Sequence, residues 1–497
     1  MNQSSWLPLY VLLSSLVPGL IIFFLREEQR LLRTTLNIFA AVLKIVLIAV
    51  MAWGVFRGST YEMTLPFLPG NGLLLRADTA SLLFITLSAV LWFVTTIYAV
   101  AYLEDSPQRS QFFGFFSLCV ASTMGIALAG NLLTFFFFYE LLTLTTYPLV
   151  IHRGTPEALR AGDVYCGYTF TGGAFLLAGI AILYAETGNI EFTIGGALHG
   201  DILEKRTTLI TAFTLMMTGL GVKAAMVPLH GWLPMAMVAP APVSALLHAV
   251  AVVKAGAFGI ARVVHDVFGV YVVEDLGVMR PLAAVAATTI IYGSLRALTQ
   301  DDLKRRLAYS TVSQVSYITL GIALFGQEAT VGGMVHLVHQ GLMKITLFFC
   351  AGNFAEELGL HRVSQLRGIG KRMPLTMAAF TIAALGMIGL PPTAGFITKW
   401  HLGGGAVSAG APWVIGVLLL SGALNAAYFL PILHAGWFQR AESPWPQPVR
   451  HHRETSLALL LPAVATAFLS IAVGAFASSR MSPLGWCKLI VEREFRP

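Results

Sequence analysis

Long apolar stretches separated by short polar connections occupy almost the whole chain. A helix needs ~20 apolar residues to cross the hydrocarbon core of a bilayer. The pattern therefore predicts an all-α, polytopic membrane protein in which residues 1–497 form a single membrane domain. About 14 spans are predicted, at residues 6–25, 35–56, 79–103, 111–129, 131–152, 164–185, 207–228, 240–264, 281–298, 307–325, 331–352, 374–398, 411–436 and 455–478.

Composition agrees with this class, because 56% of the residues are hydrophobic and only 11% are charged. That balance excludes a soluble globular protein and a disordered one. No phosphate-binding or dinucleotide-binding glycine motif stands in a suitable context. The four cysteines form no C-x-x-C pair; they are Cys119, Cys166, Cys350 and Cys487. We therefore expect no cofactor, metal site, redox chemistry or ATP chemistry in this chain.

The basic residues predict an orientation. Of the 32 lysines and arginines, 17 lie in the connections after odd-numbered spans and 10 on the opposite side. Basic connections favour the cytoplasmic side of a membrane, so both termini are expected on the outer side. The net charge of +7 suits anionic lipids, and nucleic-acid binding is not expected.

Two spans are interrupted by glycine and proline, at residues 219–242 and 386–405. Proline removes a backbone hydrogen bond, which membrane helices tolerate only against protein or a wet cavity. Two such interruptions in corresponding positions are typical of inverted-repeat transporters. Lys223 precedes Pro228 by five residues, whereas Lys399 follows Pro392 by seven, which suits an inverted relation. The alternative interpretation is that both interruptions are ordinary helix kinks.

Five lysines, and no arginine, lie deep in these apolar stretches. A charged group there is costly and is a candidate functional site. Lysine, unlike arginine, can become neutral when buried, so it can release and retake a proton. The five are Lys44, Lys223, Lys254, Lys344 and Lys399.

Glu140 is the single carboxylate predicted near the middle of the membrane. Unit charges 4 Å apart attract by ~4 kcal/mol at an effective dielectric of ~20, and by half that at ~8 Å. A Glu140–Lys223 pair of variable distance would therefore control whether the lysine keeps its proton. A static, structural ion pair is the alternative.

The eleventh span carries His336, His339 and Lys344 within an arc of about 140°, at about 100° per residue. This arrangement indicates a proton relay facing a hydrated interior. A metal site is the alternative, although no carboxylate or cysteine completes it.

Other candidates are less well defined. His248 precedes Lys254 by six residues, so the two do not share one helix face, and His248 can equally be a packing residue. Lys44 can equally extend to the membrane surface or pair with a partner chain. Asp301 or Asp302 is expected to cap the helix that follows.

Five motifs of the chain are distinctive: Tyr139-Glu140, VKAAMVPLHGWLP (222–234), DLKRRLAYSTVSQ (302–314), HLVHQGLMK (336–344) and GLPPTAGFITK (389–399). Together they resemble the antiporter-like subunits shared by complex I, membrane-bound hydrogenases and Mrp-type cation/proton antiporters. The resemblance covers about residues 75–435, and within the family the chain is most similar to the D-type Mrp subunits.

The resemblance implies two inverted five-helix repeats, with peripheral helices in residues 1–74 and 436–497. It also implies that Glu140 tunes Lys223 and that Lys399 is the terminal site. Half-channels would lead to each side of a hydrated axis. The central positions of that axis would be Lys254, His336, His339 and Lys344, and His248 is a further candidate for the same path.

The expected function is proton translocation in a multi-subunit Mrp-type Na⁺(K⁺)/H⁺ antiporter, with other membrane subunits as partners. One alternative is a proton-pumping subunit of a redox-driven complex, of the complex I or hydrogenase kind. Another is a structural subunit whose lysines pair statically.

Overall fold

The computed structural model describes residues 2–68, 71–188, 190–198, 205–441, 445 and 454–495, most of which lie in packed helices. The helices that organise the molecule are α1 (Leu7–Phe23), α2 (Arg30–Phe56), α3 (Thr79–Tyr102), α4 (Arg109–Ala127), α5 (Leu132–Val150), α6 (Pro156–Thr187), α7 (Arg206–Lys223), α8 (Ala241–Phe268), α9 (Met279–Leu298), α10 (Leu303–Ile322), α11 (Gln327–Leu358), α12 (Pro374–Ile388), α13 (Ala394–Ser408), α14 (Trp413–Phe438), α15 (Leu457–Ala475) and α16 (Pro483–Glu494).

Every predicted span overlaps at least one helix, so the all-α, multi-pass membrane class is confirmed. Ten helices of the described chain are long and apolar enough to cross a membrane. α1 and α12 are apolar but shorter. α7 and α10 contain a larger share of polar residues than the ten long apolar helices. The total of 14 membrane-spanning helices therefore stays a prediction.

Two elements were not predicted, and the bounds of one predicted span were wrong. A small sheet joins β1 (Asn2–Ser4), β2 (Thr60–Leu68) and β3 (Asn71–Ala77), with β1 parallel and β3 antiparallel to β2. The amphipathic α16 is too short to span a membrane. The twelfth predicted span, residues 374–398, is in fact two helices, because α12 ends before the Gly/Pro break and α13 continues to Ser408.

The sheet and α16 lie at one end of the bundle, which we call the terminal face: β1–β3, residues 190–198, residues 269–278 and α16. Trp486 of α16 donates to the Thr79 carbonyl (2.8 Å), and Tyr271 donates to the Phe495 carbonyl (3.1 Å). The carboxylate of Glu494 accepts a hydrogen bond from the Gly195 amide (3.0 Å). The ends of the described chain and the connections after even-numbered spans therefore share one face.

The opposite end is the loop face: residues 24–29, 103–108, 151–155, 299–302 and 359–373. Glu27 bonds the side chain of Arg109 (3.3 Å), and Val363 donates its amide to the Asp301 carbonyl (2.7 Å). Asp302 caps α10 by accepting from the Arg305 amide (2.8 Å), which confirms the predicted cap. Successive connections therefore lie alternately on the terminal face and on the loop face, as the predicted order of spans requires.

Both predicted breaks are real, and side chains satisfy the carbonyls at the helix ends. Trp232 donates to the Val222 carbonyl at the end of α7 (2.8 Å). Asn425 donates to the Met387 carbonyl (3.0 Å), and Lys399 donates to the Ile388 carbonyl (2.5 Å), at the end of α12. A buried carbonyl without a donor is costly, so these contacts stabilise interruptions inside an apolar bundle.

Glycine brings α11 and α13 into backbone contact. A Cβ at Gly405 would lie 2.1 Å from the Ala329 nitrogen, and one at Gly332 would lie 2.6 Å from the Leu402 nitrogen. We expect Gly405→Ala to lower the free energy of unfolding by about 1–3 kcal/mol, because the backbones must separate. Thermal unfolding in detergent measures this.

Gly416→Ala is the matched control, since its Cβ meets nothing within 4 Å. Equal stability of the two variants would show that the α11–α13 contact can relax without cost.

Burial, reinforced by the nearby Asp266, raises the pKa of Glu494 to about 8. A carboxyl whose pKa is raised by docking stabilises the docked state below its free pKa, and that contribution is lost as pH rises towards about 8. We therefore expect hydrogen exchange in α16, corrected for its intrinsic rate, to accelerate between about pH 4.5 and about pH 8. Glu494→Gln should remove this dependence, whereas Glu492→Gln, at an exposed position of the same helix, should retain it.

Candidate functional site

The predicted Glu140–Lys223 pair lies where α5, α6 and α7 meet. Glu140 packs on Gly173, where a Cβ would lie 2.4 Å from the carboxylate Oε1, and that oxygen is buried without a hydrogen-bond partner in the described chain. Lys223, fully buried, donates to the Tyr139 carbonyl and lies 3.4 Å from the centroid of the Tyr139 ring. The two charges interact electrostatically, yet no N–O contact between them reaches 4.0 Å. The structure therefore shows the pair open rather than as a closed ion pair.

α8 carries two buried groups that lack partners. The Lys254 amine is fully buried, and no described residue forms a hydrogen bond with it. His248 lies in a π-helical turn, stacks on Phe348 at 4.5 Å between ring centroids, and has both ring nitrogens unpartnered among the described residues. Buried polar groups are normally satisfied, and π-helical turns are frequent at functional sites. These atoms are available to a proton or a water molecule in transit.

The two histidines of α11 share one hydroxyl. Thr398 Oγ1 lies 3.1 Å from His336 Nδ1 and 2.9 Å from His339 Nδ1. A hydroxyl can donate to one nitrogen while it accepts from the other, so Thr398 links two titratable rings. His336 Nε2 lies 3.1 Å from Gln314 Oε1, whereas His339 Nε2 has no partner among the described residues.

The remaining two lysines are held by backbone carbonyls. Lys344 donates to the Leu307 carbonyl (3.0 Å) and to the Ser310 hydroxyl. Lys399, half-buried, holds the carbonyl at the end of α12. No group of three or more histidines, cysteines or carboxylates in the described part of the chain could hold a metal ion, so the metal alternative gains no support.

These residues form two adjoining groups. Lys254 is within electrostatic range of His336, His339 and Lys344, and His336 is within range of Lys399. Glu140 and Lys223 form the other group. The groups meet where α8 packs on the end of α7, since a Cβ at Gly256 would lie 2.3 Å from the Ala224 nitrogen. The Glu140–Lys223 pair thus adjoins the helix that carries Lys254, and His248 is within electrostatic range of Lys344.

The structure decides against one alternative for Lys44 and overturns the expectation that no arginine is buried. Lys44 does not extend to the membrane surface: its amine is fully buried, donates to Ser15 and lies 4.1 Å from the Trp92 ring centroid. An arginine is also buried in a predicted span, because Arg262 of α8 pairs with Asp78 (2.5 Å) and Asp266 (3.1 Å). Its two carboxylate partners offset the cost of burying the guanidinium.

Sequence reasoning missed the groups that connect the titratable residues. Thr398, Gln314 and Ser310 all lie inside the motifs quoted above, but nothing in their spacing distinguishes them from other polar helix residues. Their proximity to His336 or Lys344 depends on how α10, α11 and α13 pack.

The chain is similar to known membrane proteins in sequence and in fold. Residues 129–425 match the family described as "NADH:quinone oxidoreductase/Mrp antiporter, TM". The N subunit of NADH-quinone oxidoreductase from Desulforudis audaxviator is 36% identical over 407 residues, covering 79% of this chain and 80% of that protein. The D-type subunit of the Na⁺/H⁺ antiporter from Bacillus subtilis is 28% identical over 474 residues, covering 94% and 93%. A chain of the membrane-bound sulfane sulfur reductase, an archaeal respiratory membrane complex, has the same fold, with a TM-score of 0.87 at 24% identity over 99% of this chain and 98% of that chain.

The contrast between partnered and unpartnered lysines gives a stability prediction. We expect Lys254→Met to leave the free energy of unfolding unchanged or to raise it by about 1–3 kcal/mol, because it removes an unsatisfied buried amine. Lys344→Met should lower it by about 1–3 kcal/mol, because two hydrogen bonds are lost. Chemical unfolding in detergent measures both. A less stable Lys254→Met variant would show that the amine has a partner in solution.

Proposed function

Because the chain belongs to the NADH:quinone oxidoreductase/Mrp antiporter transmembrane family, we propose that it is the proton-translocating subunit of a multi-subunit Mrp-type Na⁺(K⁺)/H⁺ antiporter. The observation that carries this proposal is the two adjoining groups of buried titratable side chains, several of them without hydrogen-bond partners in the described chain. The D-type relative supports the antiporter assignment, because its match covers nearly the full length of both chains.

In this proposal, the open Glu140–Lys223 pair is the control element. When the two charges approach to 4 Å they attract by ~4 kcal/mol at an effective dielectric of ~20, and the amine keeps its proton. When they separate, as in this structure, much of that attraction is lost and the amine can release the proton. The Tyr139 carbonyl holds the lysine in the separated position.

The released proton then moves along the second group. Lys254 has no competing partner among the described residues, so it can receive a proton and pass it towards the α11 histidines. Thr398 conducts between His336 and His339, since its hydroxyl contacts both rings. Lys399 is the terminal site, and Lys344 and His248 lie beside the same path.

The proposal also covers the partners of the chain, its membrane and its core. Other membrane subunits are its partners, in the inner membrane of a prokaryote, with the terminal face outside as the basic residues predict. Residues 75–435 form the core, two inverted five-helix repeats interrupted at α7 and between α12 and α13. Protons pass through it, and Na⁺ or K⁺ is exchanged by the complex.

A second candidate is a proton-pumping subunit of a redox-driven complex. Its support is the 36% identity to the N subunit of an NADH-quinone oxidoreductase. Purification of the intact complex distinguishes the two: flavin and iron–sulfur partners favour the redox pump, and small membrane subunits without cofactors favour the antiporter.

Loss of either member of the control pair should stop exchange. We expect Lys223→Ala and Glu140→Ala to reduce ΔpH-driven Na⁺ or K⁺ exchange by the intact complex in vesicles at least about tenfold, because each removes a charge on which proton transfer depends. Lys371→Ala, an exposed lysine of the loop face, is the control.

Undiminished exchange in both variants would contradict the proposal. Poor assembly, with normal exchange in the complexes that do form, would instead favour the structural role in which the pair is static.

A further inference from the structure

A cavity of about 260 Å³ opens at the terminal face, between the first turn of α11, α13 and α16. It lies away from the Glu140–Lys223 pair, and the assignments made so far give it no role. Its polar lining consists of Gln327, Glu328, His401, Lys488 and Glu492. Titratable side chains therefore line an opening at one end of the bundle.

An acid–base pair lies at the bottom of this cavity. His401 Nδ1 is 3.4 Å from Glu328 Oε1. Glu328 is 45% exposed and His401 is 17% exposed, so the carboxylate meets water while the imidazole lies further inside. An exposed carboxylate beside a half-buried imidazole is a suitable arrangement for passing protons between water and an interior.

His401 relates the cavity to the α11 histidines. His401 and Thr398 are three residues apart on α13, so their side chains are neighbours on one helix face. His401 and His339 are within electrostatic range of each other. His339 is fully buried, with Nδ1 bonded to Thr398 and Nε2 without a partner among the described residues. A residue with a buried, unsatisfied nitrogen thus lies within electrostatic range of His401, which lines the cavity.

The backbone contacts between α11 and α13 fix this arrangement. Ala329 lies against Gly405 and Leu402 against Gly332, so the two helices run in opposite directions with no side chain between them. Glu328 adjoins Ala329, and His401 adjoins Leu402. The acid–base pair is therefore held by the closest helix contact of this region, not by a flexible connection.

We propose that Glu328 and His401 form the port through which protons pass between the buried histidines and the water at the terminal face. An outgoing proton leaves His339 Nε2 and binds Nε2 of His401. The proton on His401 Nδ1 moves to the Glu328 carboxylate, and water then takes it. An incoming proton follows the reverse order, so no group gains or loses a proton over the cycle. This port rests on the proposed function.

The other charged or titratable groups that face His401 are His339 on α11 and Lys488 and Glu492 on α16. α12 and α15, which also pack against α13, carry no ionisable side chain, and the His434 of α14 lies near the loop-face end of that helix. The charges that can influence the port are therefore those of His339 and of Lys488 and Glu492 on α16.

The test uses the intact complex in vesicles, with exchange measured while the pH on the terminal-face side is varied and the other side is held constant. We expect His401→Ala to reduce exchange at least about tenfold and to abolish its dependence on terminal-side pH. Imidazole added to that side should restore exchange to within about twofold of wild type, because the cavity is open. Glu328→Gln, which preserves size, should slow exchange in the same way without rescue by imidazole.

His361→Ala and Glu104→Gln make the same chemical changes at exposed positions of the loop face and should exchange like wild type. Normal exchange by His401→Ala or Glu328→Gln overturns the port, as does failure of imidazole to rescue an assembled His401→Ala complex. If Lys223→Ala abolishes exchange while the port variants do not, the port alone fails. If Lys223→Ala, Glu140→Ala and the port variants all exchange normally, the proposed function fails as well.

Discussion

An apolar bundle must supply a donor for every carbonyl that a broken helix leaves free, and this requirement organises the interior described here. At the end of α7 the donor is an indole, and at the end of α12 the donors are an amide and the ammonium of Lys399. Lys223 and Lys344 likewise bond carbonyls of neighbouring helices. The lysines that carry charge inside the membrane therefore also hold the breaks and helix contacts in place.

The buried titratable groups divide according to whether these bonds exist. Lys344, Lys399 and His336 have fixed partners, so they define positions in the bundle. Lys254 has none, and the same is true of one nitrogen of His339 and both nitrogens of His248 in the described chain. A group without a competing hydrogen bond gives up or accepts a proton with less rearrangement. We therefore expect the unpartnered groups to exchange protons more readily than the partnered ones.

Close helix contact sets the spacing between these groups. Glycine allows α8 to touch the end of α7 and α11 to touch α13, and the α11 histidines thereby contact Thr398. Side chains between these helices would increase the distance between neighbouring titratable groups. The same contacts extend to the terminal face, where Glu328 and His401 face a cavity lined by α16.

Local composition was sufficient to predict the multi-pass helical class and both breaks, because hydrophobic length is a property of short stretches of chain. The cost of buried charge singled out eight candidate residues in the same way, and their role stays a prediction. Local composition could not predict that the Glu140–Lys223 pair is open, that Thr398 joins two histidines, or that Arg262 is buried with two carboxylates. Those facts depend on contacts between residues far apart in the chain, 59 positions for Thr398 and His339 and 184 for Arg262 and Asp78. Helix packing creates such contacts, and it is set by the fit of whole helices rather than by any single stretch of residues.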